Sequence, residues 1–179
     1  GILVREKNRM RLYNYDQSTI KLETKKRNGT VISKDTAQIS VNNAIDLSYG
    51  NYNHDSFDNN LAKLISIKLK SKSYKPRVIV EYDRRAYYLP YGNIRITFDK
   101  NLRTYNTHTN IFELNNVVNS PVFLDNHQIL EVKFGVELPS YLTDVLKTIP
   151  SIRASISKYV LCQRFVNHDL YKDHITPSF

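Results

Sequence analysis

Tryptophan is absent from this chain, and cysteine occurs once. One cysteine excludes an internal disulfide framework and fits a reducing compartment, so a cytoplasmic location is expected. Cys162 follows the mostly apolar run from Tyr159, which reads as a buried structural thiol rather than a nucleophile. Glycine is scarce, at five residues, and neither a G-x-x-x-x-G-K-[ST] nor a G-x-G-x-x-G loop occurs. A backbone nest is therefore a poor way for this chain to hold phosphate, and side chains would have to do it. No apolar run is long enough to cross a bilayer as a helix, and no basic-then-apolar start suggests a signal peptide. The five histidines, His54, His108, His127, His168 and His174, share no metal-ligand spacing with one another or with Cys162. Most fall in predicted loops or the tail and read as solvent-side residues, so no catalytic triad is expected.

Acidic residues are also in short supply. Seventeen Asp and Glu face 26 Lys and Arg, a formal charge of +9. That balance points to polyanionic partners such as nucleic acid, an anionic membrane surface or phosphate compounds. The plain alternative is a basic, solvated surface. With 179 residues, 41% hydrophobic and 24% charged, the chain suits one globular domain. Thirteen tyrosines and many branched residues favour strands.

Alternation predicts a strand over Arg9–Tyr15 and another over Ile20–Arg27. In the second, Lys21, Glu23 and Lys25 share one face, and Ile20, Leu22 and Thr24 the other. Asn28-Gly29 is a strong hairpin signal and returns the chain into Thr30–Lys34. A short helix is expected over Val41–Leu47, capped by Ser40, and an amphipathic helix over Phe57–Lys70. Strands follow at Arg77–Leu89 and Asn93–Lys100, joined by a turn at Pro90–Gly92. Leu102–Asp125 reads as loop, with a short strand around Val117–Leu124. Gln128–Gly135 is a further strand. Helices are expected from Pro139 through Ile149 and over Ser155–Asn167, and residues 168–179 read as a loose tail.

This order indicates an α+β fold with a mainly antiparallel sheet. Nearly every strand has a charged face opposite an apolar one. A closed barrel with a polar lumen and helices packed outside would satisfy all of them. An open sheet with its charges facing water would satisfy them equally well. The strand cations are Arg9, Arg11, Lys21, Lys25, Lys34, Arg84, Arg95 and Lys133, with Glu23 and Glu131 as balancing carboxylates, either of which could hold a divalent metal.

The phrases Arg9–Tyr15 (R-M-R-L-Y-N-Y), Ile20–Lys26 (I-K-L-E-T-K-K), Val78–Tyr87, Gly92–Leu102, Ile129–Phe134 (I-L-E-V-K-F) and Ser157–Cys162 resemble the VTC domain, in family order. That is the polyphosphate polymerase domain of the vacuolar transporter chaperone complex and its bacterial relatives. The resemblance implies the triphosphate tunnel fold, a closed antiparallel barrel with a basic lumen. It implies transfer of a nucleotide's terminal phosphate to polyphosphate, aided by Mn2+ or Mg2+. By matching phrase, Arg9, Arg11, Lys25, Lys34, Arg84, Arg95, Lys133 and Lys158 would bind phosphate. Arg95 and Lys158 would be the catalytic pair, and Glu131 the metal ligand. The family's opening strand with an E-x-K-type motif has no match, which implies a single domain lacking its N-terminal strands.

The implied partners are a nucleoside triphosphate and polyphosphate. Nucleic acid is disfavoured, because no outer face clusters arginine with interleaved aromatics. Self-association through exposed strand edges is open. A tunnel-type hydrolase of tripolyphosphate or nucleoside triphosphate, and a non-catalytic polyphosphate-binding module, are the two alternatives.

Overall fold

The computed structural model describes residues 4–105, 110–123 and 125–166. The expected tail at 168–179 and three of the histidines, His108, His168 and His174, lie outside them. Two compact units are present. One comprises the described residues of Gly1–Arg77 and Thr107–Val117, the other those of Val78–Asn106 and Val118–Phe179.

The first unit is a three-stranded antiparallel meander of β1 (Val4–Arg11), β2 (Ile20–Asn28) and β3 (Val31–Ile39). β1 stops earlier than its alternation suggests. Asn14 and Tyr15 adopt left-handed backbone angles (φ 51° and 57°), and the Asp16 amide closes a turn onto the Tyr13 carbonyl at 2.8 Å. The Asn28-Gly29 turn forms as expected, with Gly29 at φ 57°, a conformation that suits a residue without Cβ. Ser40 caps α1 (Val41–Ser48) by accepting from the Asn43 amide at 3.2 Å. Asn59 caps α2 (Asn60–Ser71), so this helix starts later than its apolar pattern implied. Phe57 precedes the cap and is buried. Ile20, Leu22, Ala37 and Ile39 form one face of the sheet and pack against Ala44, Leu47, Ala62, Ile65 and Leu69 of the helices.

The second unit is built on β4 (Ile79–Leu89) and β5 (Ile94–Tyr105), which pair antiparallel. The far edge of β5 is shared by a two-residue strand, β6 (Ser120–Pro121), and β7 (Ile129–Lys133). β5 runs five residues past its expected end at Lys100. Asn101 sits at φ 50° where the register to β4 shifts, so a bulge interrupts the alternation by which the strand was recognised. α3 (Ser140–Lys147) follows Pro139, and α4 (Lys158–Val166) packs on the sheet through Leu161, Cys162 and Phe165.

The barrel expectation is overturned. The two sheets are separate and open. Among the described residues, β1 and β3 each pair only with β2, and β4 only with β5. Period-two alternation specifies one wet and one dry face, and an open sheet supplies both without a lumen. Nor are the helices all opposite the charged faces. α1 and α2 cover the apolar face of the first sheet. α4 instead packs beside Val80, Tyr82 and Leu102, on the face of the second sheet that also carries Arg84 and Asp99.

Candidate functional site

The register of the first sheet sets four rows side by side on one face: Arg5, Arg27 and Ile32; Lys7, Lys25 and Lys34; Arg9, Glu23 and Thr36; Arg11, Lys21 and Gln38. Eight basic side chains thus surround one carboxylate. Glu23 is 1% exposed. Arg9 Nε donates to its Oε2 at 2.6 Å, while Lys34 Nζ and Arg11 Nη2 lie 2.9 and 3.1 Å from Oε1. Burial alone pushes the Glu23 carboxyl up. Hydrogen bonds from Lys34 and Arg9 and the charges of Arg9 and Arg11 outweigh it, holding the group below the usual carboxylate range.

One carboxylate cannot neutralise eight cations. Lys7, Lys25 and Lys34 stand abreast, and like charges directly opposite on a sheet repel. The Lys7 ammonium is held below its usual value, first by burial and then by Arg5, Lys25 and Arg9. A polyanion lying on this face would relieve that repulsion.

The polar face of the second sheet has three rows: Arg84, Asp99 and Ile129; Ala86, Thr97 and Glu131; Tyr88, Arg95 and Lys133. Asp99 is 1% exposed. Arg84 grips it with both prongs, Nε to Oδ1 at 2.6 Å and Nη2 to Oδ2 at 2.8 Å, and Lys158 Nζ reaches Oδ2 at 2.6 Å. Both cations also flank the Tyr82 ring, 5.1 and 5.2 Å from its centroid. Burial pushes the Asp99 carboxyl up, but the hydrogen bonds and charges of Arg84 and Lys158 bring it below its usual value. The same bond to Asp99 raises the Arg84 guanidinium further.

α4 aims Lys158 by simple helical geometry. Cys162 lies one turn later on the same helix face and is fully buried, with its Sγ 4.0 Å from the Arg103 carbonyl oxygen. Burial pushes its thiol up to about 12, which makes it an anchor and not a nucleophile.

Among the described residues Arg95 has no hydrogen-bonding or ion-pair partner, although it stands directly opposite Lys133. Thr97 Oγ1, in the next row, is buried without a hydrogen-bond partner. Glu131 stands opposite Thr97 and pairs with Lys133 at 3.2 Å.

The expected phosphate ligands are thus gathered in two sets. Arg9, Arg11 and Lys34 converge on Glu23, with Lys25 alongside. Arg84 and Lys158 converge on Asp99, with Arg95 and Lys133 at the far end of that face. Asp99 and Tyr82 were not singled out in the sequence. The available signal was a carboxylate in mid-strand, where Asp is normally depleted, sharing a face with Arg95.

A divalent metal has limited protein ligands here. Among the described residues no three His, Cys, Asp or Glu side chains converge, and both Asp99 oxygens are taken by cations. Mg2+ commonly uses one or two carboxylates and draws its other oxygens from phosphates and water. Glu131, with its side chain 41% exposed, fits that single-carboxylate role.

The family model for the VTC domain matches residues 1–167 of the chain. A comparison with curated proteins finds no match. Among the described residues no helix is long and apolar enough to cross a membrane.

Proposed function

The chain belongs to the VTC domain family, a polyphosphate-related family, and on that footing we propose that it is a polyphosphate polymerase domain. It transfers the terminal phosphate of a nucleoside triphosphate to a growing polyphosphate chain. The observation that carries this reading is the surplus of cations over carboxylates on the polar face of each sheet.

A terminal oxygen of polyphosphate bonds to the γ-phosphorus, the bond from that phosphorus to the β,γ-bridging oxygen breaks, and nucleoside diphosphate leaves. This chemistry asks the protein for positioning and charge, not for a nucleophile. Arg84, Arg95, Lys133 and Lys158 hold the donor triphosphate, with Arg95 and Lys158 as the catalytic pair, Lys158 at the transferred phosphate and Arg95 at the phosphates of the departing diphosphate. Arg9, Arg11, Lys25 and Lys34 bind phosphate on the first sheet. Asp99 keeps Arg84 and Lys158 side by side, and Glu23 does the same for Arg9, Arg11 and Lys34. When bound at Glu131, Mn2+ or Mg2+ supplies positive charge against the phosphate oxygens.

The test is incubation of the chain with ATP and Mn2+, with products resolved by gel electrophoresis. Long chains are expected, and Arg95→Ala and Glu131→Ala should abolish them without changing the melting temperature. Orthophosphate as the sole product would make the protein a hydrolase. Unchanged chain synthesis in both variants would sink the site assignment.

A further inference from the structure

The polar face of the second sheet ends in a concavity of about 390 Å3 that phosphate alone does not account for. Its walls are Ala86, Tyr88, Asn93, Arg95, Lys133 and Phe134. The row Tyr88, Arg95 and Lys133 forms its floor. The β4–β5 turn forms its end, and that turn is well fixed. Gly92 adopts φ 73° and accepts a hydrogen bond from the Gly135 amide at 3.0 Å. A Cβ added at Gly135 would stand 3.2 Å from the same carbonyl oxygen, so the approach is close as well as bonded.

Two aromatic rings are left open beside the unpartnered Arg95. Tyr88 is 63% exposed and Phe134 48%. The Tyr88 hydroxyl donates to Asn93 Oδ1 at 3.2 Å, which restrains the ring and leaves the Asn93 Nδ2 donor without a described partner. Aromatic faces, a free amide donor and adjacent cations are what a nucleotide requires. The rings meet the heterocycle, the amide meets one of its acceptors, and Arg95 and Lys133 meet the phosphates.

We infer that this concavity seats the nucleoside of the donor nucleotide, an inference that rests on the proposed use of Arg95 for the triphosphate. It also orients the donor. Arg95 and Asp99 are four residues apart on one strand, roughly 13 Å at the usual rise. The nucleoside therefore lies at the turn, Arg95 takes the phosphates nearest to it, and the terminal phosphate points toward Arg84 and Lys158. Thr97, with its unpartnered hydroxyl, lies between.

The test compares ATP with tripolyphosphate as calorimetric titrants of the full chain, in wild type, Tyr88→Ala, Tyr88→Phe and Arg95→Ala. Tyr88→Ala should weaken ATP binding by roughly tenfold, the scale of one lost base–aromatic stack, and leave tripolyphosphate unchanged. Tyr88→Phe keeps the ring and should keep ATP binding. Arg95→Ala should weaken both titrants. If tripolyphosphate binds and Tyr88→Ala leaves the ratio of the two affinities unchanged, the nucleoside assignment is overturned and the phosphate reading stands. If wild type binds neither, or Arg95→Ala changes neither, the phosphate reading itself falls and this inference with it. Circular dichroism of each variant checks that the fold is retained, and Phe134→Ala, which removes the second exposed ring of the same concavity, carries the same expectation and the same overturning result if Tyr88→Ala does not fold.

Discussion

Lys158 donates to Asp99 across 2.6 Å, tying the last described helix to the central strand of the second sheet. The bond has two consequences. It docks α4, and it holds an ammonium beside the Arg84 guanidinium that grips the same carboxylate. Removing the charge at Asp99 should therefore act on stability before anything else. Asp99→Asn leaves two partly buried cations without their counter-charge, and such losses cost about 3 kcal/mol. Urea denaturation at pH 7 measures it. A loss below a few tenths of a kcal/mol would mean that the cluster is not held by charge.

Glu23 and Asp99 both sit below their ordinary pKa range in the folded chain. The sign follows from linkage. The unfolded carboxylates take up protons first as the pH falls, so the contribution of these pairs is fully present above about pH 5 and is lost as the pH drops through the depressed folded values. Glu23→Gln removes one of the two titrations. Its stability should be lower than wild type at pH 7 and should fall less steeply between pH 5 and pH 3. Parallel curves for wild type and variant would show that Glu23 is not linked to folding.

Stability and binding should pull in opposite directions at Lys25. It stands between Lys7 and Lys34 in a row of three ammonium groups. Lys25→Ser relieves a repulsion worth a few tenths of a kcal/mol, so the melting temperature should rise slightly. The same change removes a cation from the polyphosphate face. Affinity for long-chain polyphosphate should drop, and the slope of log affinity against log salt should become shallower by roughly one. A destabilised variant with undiminished binding would count against the reading of this face.

Much of this arrangement is visible in short stretches of sequence. I-K-L-E-T-K-K already puts Glu23 between two lysines on the face opposite Ile20 and Leu22, and the structure keeps that division. R-x-R in β1 adds Arg9 and Arg11 to the same face because an antiparallel neighbour preserves the period of two. Closure was not legible. Alternation records which side of a strand is wet, and says nothing of whether the sheet's edges meet. The end of β5 was hidden by the bulge at Asn101, which breaks the period used to find it. The Asp99 cluster is not legible either, because its partners Arg84 and Lys158 come from other elements, the second far along the chain, and the mid-strand carboxylate is its one local sign.

Cys162 offers a direct report on the docking of α4. Its sulfur is fully buried and its thiol is pushed up to about 12, so almost no thiolate exists at pH 8 in the folded chain. Ellman's reagent should label native protein at pH 8 only as fast as α4 detaches, and unfolded protein at once. Asp99→Asn loosens the helix at its first turn, one turn before the cysteine, and should speed labelling at least tenfold under native conditions. Tripolyphosphate bound at Arg84 and Lys158 would bridge the same two cations and slow labelling again. Equal rates in wild type and variant would separate the anchoring of α4 from the Asp99 cluster and leave its apolar contacts, Leu161 and Phe165, as what holds it.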